Sequence, residues 1–100
     1  MTIFSIARGY GITIEFADLG DWGCAELCSE YDASGPTIRI NTRALQKRAP
    51  EELTGFLHFA VAHELYHHHE HRGRFAKLTG RRHRERAADA FARELMRSSE

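Results

Sequence analysis

His58-Phe59-Ala60-Val61-Ala62-His63-Glu64-Leu65-Tyr66-His67-His68-His69-Glu70-His71 is the stretch whose reading decides the fold. Within it, His63-Glu64-Leu65-Tyr66-His67 fits the pattern H-E-x-x-H. On a helix, residues four apart sit one turn apart on nearly the same face. His63 and His67 can then reach one metal ion at the roughly 2.0–2.1 Å of a zinc–imidazole bond. Glu64 lies about 100° round the helix from His63. That is too far for an equal third ligand, but it suits a general base in metal-assisted hydrolysis. Composition supplies a competing reading. Seven of the 100 residues are His, so the match can arise by chance and mark only a His-rich, solvated helix end. The flanking residues weigh against this. Leu53, Phe56, Leu57, Phe59, Ala60, Val61, Ala62, Leu65 and Tyr66 cover almost every face. A helix apolar all round is a buried central helix. Polar groups inside it are costly without partners, and a metal supplies partners for both histidines.

Geometry narrows the search for a third ligand. His71 continues the row, but eight residues of helix rise about 12 Å, so His63 and His71 cannot share one tetrahedral ion. The pattern H-E-x-x-H-x-x-G-x-x-H needs Gly at 70 and His at 73, where this chain has Glu70 and Gly73. The remaining candidate is Glu85, which opens Glu85-Arg86-Ala87-Ala88-Asp89-Ala90-Phe91-Ala92-Arg93-Glu94-Leu95-Met96. Ala88, Phe91, Ala92, Leu95 and Met96 form one apolar helical face, with Glu85 and Asp89 a turn apart on its edge. The alanines let such a helix approach the central one closely. Glu85 can then bind the metal, and Asp89 can accept the Nδ1 proton of a ligand histidine, fixing its tautomer. Alone, Glu85 and Asp89 read as solvated acids of an ordinary amphipathic helix; beside the histidines, the ligand reading is favoured.

H-E-x-x-H followed eighteen residues later by E-x-x-x-D resembles the gluzincin arrangement. The phrase E-R-A-A-D-A-F-A-R-E-L-M resembles, more narrowly, the ImmA/IrrE metallo-endopeptidases, whose second helix carries E-x-x-A-x-x-F-A. The resemblance runs from about Gly35 to Met96 and is weaker upstream. Carried over residue by residue, it implies zinc on His63, His67 and Glu85, with Glu64 as catalytic acid/base. Asp89 follows from the wider gluzincin pattern as a support to a ligand. It also implies a zincin-like fold and a narrow protein substrate, often a repressor encoded nearby. The chain departs from the pattern at Tyr66, where a Gly often stands, and at Arg97, where the family's Leu-Met-Pro ending has Pro. His68, His69 and His71 are additions to the pattern and leave room for adventitious metal binding.

One hundred residues make one small domain, residues 1–100, with a modest core. Metal binding can therefore contribute to folding. Formal net charge is zero, so nothing global signals nucleic acid. The charge is nonetheless segregated. Residues 9–38 hold Glu15, Asp18, Asp21, Glu26, Glu30 and Asp32 with no Lys or Arg. Residues 72–86 hold Arg72, Arg74, Lys77, Arg81, Arg82, Arg84 and Arg86 against Glu85 alone. No apolar run approaches the roughly 18–20 residues of a membrane span. Met1 to Arg8 lacks the basic-then-apolar order of a signal peptide, so the expected location is cytoplasmic. Cys24 and Cys28 are the only cysteines. Their spacing is not a zinc spacing, and in a strand their Cα atoms lie about 13 Å apart, too far for a disulfide. Half-buried thiols are the favoured reading over a redox pair.

Taken in order, Ile3 to Tyr10 reads as a short helix ended by Gly9 or Gly11. Ile12 to Phe16 alternates as a half-buried strand. Asp18 to Asp21 is a turn. Trp22 to Tyr31 is a second strand, Asp32 to Pro36 a hairpin turn, and Thr37 to Asn41 a third strand. Asn41 or Thr42 caps a helical turn through Leu45. Pro50, Glu51 and Glu52 suit the first turn of a central helix over 50–71, with Gly73 beyond its end. Residues 73–82 are a loop with one helical turn around Phe75–Leu78, and a last helix spans 83–97. This order predicts an α+β domain: a small antiparallel sheet of about three strands packed on the H-E-x-x-H helix, then a helix carrying Glu85. By similarity to gluzincins, Thr37–Asn41 borders the cleft as the strand that pairs with an extended substrate; the alternative is an edge strand facing water. The basic run is either a docking surface for an acidic partner or DNA, or simply a solvated loop and helix start. Direct nucleic-acid recognition is not expected, because no helix-turn-helix segment or aromatic interleaving is present. His83 is either an oxyanion stabiliser or solvated.

The sequence therefore predicts a zinc-dependent metallo-endopeptidase acting on a protein substrate. A rival class is a metal-stabilised regulatory binding module in which hydrolysis plays no part. A further rival is a hydrolase of a non-peptide bond. The intact Glu64 favours an enzyme over the module.

Overall fold

The computed structural model describes residues 2–20 and 28–98. Along the chain these form α1 (Ile3–Gly9), β1 (Thr13–Ala17), β2 (Ser29–Asp32), β3 (Thr37–Asn41) and α2 (Thr42–Gln46). A 3₁₀ turn at Pro50–Glu52 then leads into α3 (Leu53–His71), and α4 (Arg81–Ser98) follows. The fold is α+β with a three-stranded sheet in the order β1-β3-β2.

The sheet is mixed, not antiparallel as the strand order suggested. β1 pairs with β3 in parallel and β2 pairs with β3 antiparallel. β3 is the strand paired along both edges. Ile38 and Ile40 are wholly buried, and the polar residues at its ends, Thr37 and Asn41, are buried too. A strand with so little surface left needs neighbours along both edges. Arg39, the half-buried exception, points among acids from both flanking strands. Its guanidinium lies 3.5 Å from Glu15 on one side, and 3.3 Å from Glu30 and 2.9 Å from Asp32 on the other. Thr37–Asn41 is thus the central strand and cannot offer an edge to a substrate. Among the described residues, the sheet edge beside the cleft belongs to β2.

The hairpin between β2 and β3 forms as its composition predicts. Asp32 accepts hydrogen bonds from the Ser34 backbone N–H at 3.0 Å and hydroxyl at 2.7 Å, and Gly35 takes φ +69°. The described part of the expected second strand is confined to Ser29–Asp32; Trp22 to Leu27, and Asp21 of the preceding turn, lie outside the described residues. Asn41 caps α2 as expected, accepting from Arg43 N–H at 3.1 Å, and the same oxygen accepts from Leu19 N–H at 3.1 Å. Residues 72–80 contain no helical turn around Phe75–Leu78. Phe75 instead packs its ring on Tyr66 and Phe91, at 5.3 and 5.5 Å between centroids. That packing holds the segment without backbone helical bonds.

α3 is buried between the other layers, as an all-round apolar surface requires. Val61, Ala62 and Leu65 join Ile3 and Ala7 of α1, Ile38 and Ile40 of β3, and Ala92 of α4 in one core. Ala88 and Ala92 are fully buried, which lets α4 lie close against α3. Gly73, at φ +76°, ends α3: its N–H bonds to Glu70 O, and Arg74 N–H bonds to His69 O. Among the described residues, no helix is long and apolar enough to cross a membrane.

Candidate metal centre

His63 and His67 project from one side of α3, and Glu85 and Asp89 from the first turns of α4. The helix pair brings the side chains together. His63 Nε2 lies 2.8 Å from Glu85 Oε2, and His67 Nε2 lies 3.3 Å from Glu85 Oε1. His63 Nδ1 lies 2.8 Å from Asp89 Oδ1. One ligand atom from each of His63, His67 and Glu85 falls within 4.8 Å of the others.

This donor set fits a divalent cation on chemical grounds. A neutral imidazole carries one N–H, yet both nitrogens of His63 face carboxylates. One proton satisfies Asp89; a cation between Nε2 and Glu85 satisfies the other pair. Donors of a tetrahedral zinc ion at about 2.0–2.1 Å sit about 3.3 Å apart; the His67 Nε2–Glu85 separation is 3.3 Å, and the 2.8 Å between His63 Nε2 and Glu85 is a hydrogen-bond length that would open by about 0.5 Å around an ion. Both histidine side chains are about 15% exposed, at 15% and 14%, while Glu85 is 46% exposed. The site is thus shielded by α3 and open on the side of Glu85.

Glu64 is 5% exposed and turns toward β2, where the Ser29 hydroxyl donates to its Oε2 at 2.7 Å. Burial pushes the Glu64 carboxyl up. The Ser29 hydrogen bond and the neighbouring His63 and His67 pull it down, and Glu85 pushes it up again. Glu64 is thus a buried carboxyl adjoining the His63, His67 and Glu85 group. The sequence identifies Glu64 but not Ser29, because the register that turns a serine inward from a short strand leaves no local signature.

Glu70 is the other residue that the spacing argument passes over. Its Oε1 lies 3.4 Å from His67 Nδ1, and Arg84 donates to both of its oxygens, at 2.6 Å from Nη2 and 3.1 Å from Nε. These Arg84 hydrogen bonds, first among the causes, hold the Glu70 carboxyl below its ordinary value. The i, i+3 spacing from His67 to Glu70 was the available signal, masked by the run of histidines around it.

The extra histidines do not make a solvated helix end. His68 and His69 are 1% and 6% exposed. His68 Nδ1 lies 2.7 Å from the Tyr31 hydroxyl, and burial, then the nearby Arg72 charge, lowers its pKa to about 4. His69 packs edge-on against Tyr10 and Phe75. Both are packed among aromatic rings, His68 against Tyr31 and His69 also against Phe91 of α4. His71 is exposed at the rim of the cleft, and His83 is exposed outside it. Cys28 is half-buried in the cleft wall; Cys24 lies outside the described residues. Of the basic run, Arg84 turns inward onto Glu70 and is not part of a uniformly solvated face.

His63, Glu64, His67, Glu70, Glu85 and Asp89 line a cleft of about 610 Å³. Its walls are Cys28 with β2 as far as Tyr31, the α3 face bearing Phe56, Phe59, His63 and His67, and the start of α4. Comparison of the chain with models of protein families, with curated proteins and with solved structures gives no match in any of the three.

Proposed function

We propose that this protein is a zinc-dependent metallo-endopeptidase with a zincin-like arrangement. The observation that carries the reading is the convergence of His63, His67 and Glu85 within 4.8 Å in a cleft where Glu64 is buried against Ser29. In this reading His63, His67 and Glu85 hold the ion, and Asp89 fixes the His63 tautomer. Zinc bound there supplies Lewis acidity, which activates water and polarises a carbonyl.

The chain's own residues do the rest. Ser29 fixes the Glu64 carboxylate through Oε2, which leaves Oε1 to take a proton from the attacking water. Glu64 then delivers that proton to the leaving amine nitrogen. The apolar part of the α3 wall, Phe56, Phe59 and Ala60, would take apolar substrate groups and exclude water. Among the described residues β2 is an edge strand, and that edge would take an extended peptide. By the resemblance to ImmA/IrrE proteins, the substrate is one particular protein, such as a repressor encoded nearby, and action is intracellular.

Glu64→Gln tests the reading. The variant keeps the shape of the side chain but cannot act as a base near neutral pH. Zinc-loaded wild type and variant are incubated with lysate of the source cells, and new protein N-termini are mapped by mass spectrometry. Wild type should generate specific new termini. Glu64→Gln, binding zinc as tightly, should generate them at least about 10²-fold more slowly. Identical termini from both proteins, or none from either, would reject the peptidase and favour the non-hydrolytic binding module.

A further inference from the structure

We propose that Glu70, clamped by Arg84, is a positioning residue for the metal site: it orients His67 and fixes the distance between α3 and Glu85. The inference rests on the metal reading above and extends it to residues outside the ligand set.

The two histidines are treated alike. Each turns Nε2 toward Glu85 and Nδ1 toward a carboxylate of its own, His63 to Asp89 at 2.8 Å and His67 to Glu70 at 3.4 Å. A carboxylate that accepts the Nδ1 proton leaves the Nε2 lone pair for a cation and fixes the ring's orientation. Glu70 is built for a fixed position. Its side chain is 2% exposed, and both oxygens are held by the guanidinium of Arg84. Burying a carboxylate this deeply is costly unless it is paired and hydrogen-bonded.

Arg84 is the residue before Glu85. The paired Nη2 and Nε contacts therefore tie the last turn of α3, one turn beyond His67, to the first turn of α4. Glu85 is 46% exposed and is not enclosed by packing. The Glu70–Arg84 pair supplies the restraint that packing does not, holding Glu85 opposite both Nε2 atoms.

The test uses metal-free full-length protein titrated with Zn²⁺ against a chromophoric chelator. Co²⁺ absorption gives a second readout of ligand geometry. Glu70→Leu keeps side-chain bulk but removes the acceptor. It should fold, with the wild-type circular dichroism spectrum, and bind zinc about 10–100-fold more weakly; its Co²⁺ spectrum should be altered. Glu70→Arg combined with Arg84→Glu separates positioning from simple helix stapling. The reversed pair can still join α3 to α4, but a guanidinium cannot accept a proton from His67 Nδ1. It should recover thermal stability and not zinc affinity.

Wild-type zinc affinity in folded Glu70→Leu, or in the reversed pair, overturns the proposal. If Glu85→Ala abolishes tight zinc binding while Glu70→Leu leaves it intact, only this inference fails. If wild type itself takes up no stoichiometric zinc, the metal reading fails with it.

Discussion

Arg39 shows at the scale of one residue how this small sheet is held. Its guanidinium meets Glu15, Glu30 and Asp32 from the strands on either side. Asp32 is the best placed of these acids. The Ser34 hydroxyl, then Arg39, holds its carboxyl at about 2, below the ordinary 3.8. A carboxyl whose pKa is depressed on folding stabilises the fold fully above its unfolded value. That contribution is lost as pH falls from about 4 toward about 2. Asp32→Asn should therefore lower the urea midpoint at pH 6, and the gap from wild type should narrow at pH 3. A gap independent of pH would remove the charge of Asp32 from the account. Residues also differ in how legible they were. His63, Glu64 and His67 could be read because helical spacing is local and fixed. Glu85 and Asp89 followed because their own helix has a clear apolar face. Ser29 could not be read, since its inward turn depends on pairing with Ile40 of a neighbouring strand. Burial of His68 and His69 was hidden for a related reason: the aromatic rings that enclose them come from Tyr10, Tyr31 and Phe75.

At the scale of elements, the site depends on how closely α4 lies against α3. Ala88 and Ala92 are fully buried between them, and Ala88 sits directly before Asp89 and one turn beyond Glu85. Ala88→Leu adds side-chain carbons where there is no room. Overpacking of this kind costs about 1–3 kcal/mol. It should also push α4 outward and separate Glu85 and Asp89 from the histidines. Urea unfolding of the metal-free variant should show the loss of stability, and chelator competition a parallel loss of zinc affinity. Unchanged zinc affinity would mean that α4 is not the element that sets the donor spacing. The helices were legible because periodicity, Pro50 and Gly73 mark them locally. The sheet was less so. Strand alternation identified β1 and β3, but alternation carries no record of which strand is central or which pairs run parallel. The order β1-β3-β2, with β1 parallel to β3, is set by long-range pairing that leaves no local signature.

A chain of 100 residues has a length at which a single core stabilises only modestly. Its layers meet at the cleft: β2 supplies Ser29, α3 His63, Glu64, His67 and Glu70, and α4 Glu85 and Asp89. An ion held by α3 and α4 would join the second half of the chain into one unit, and its binding free energy would add to folding. The measurement that bears most directly on this account is X-ray absorption at the zinc edge of protein loaded with one equivalent of Zn²⁺. The account predicts two imidazole nitrogens and a carboxylate oxygen at about 2.0–2.1 Å, with the same spectrum when the exposed His71 is replaced by Asn. A shell of three or more imidazoles, or a spectrum that changes in that variant, would contradict it.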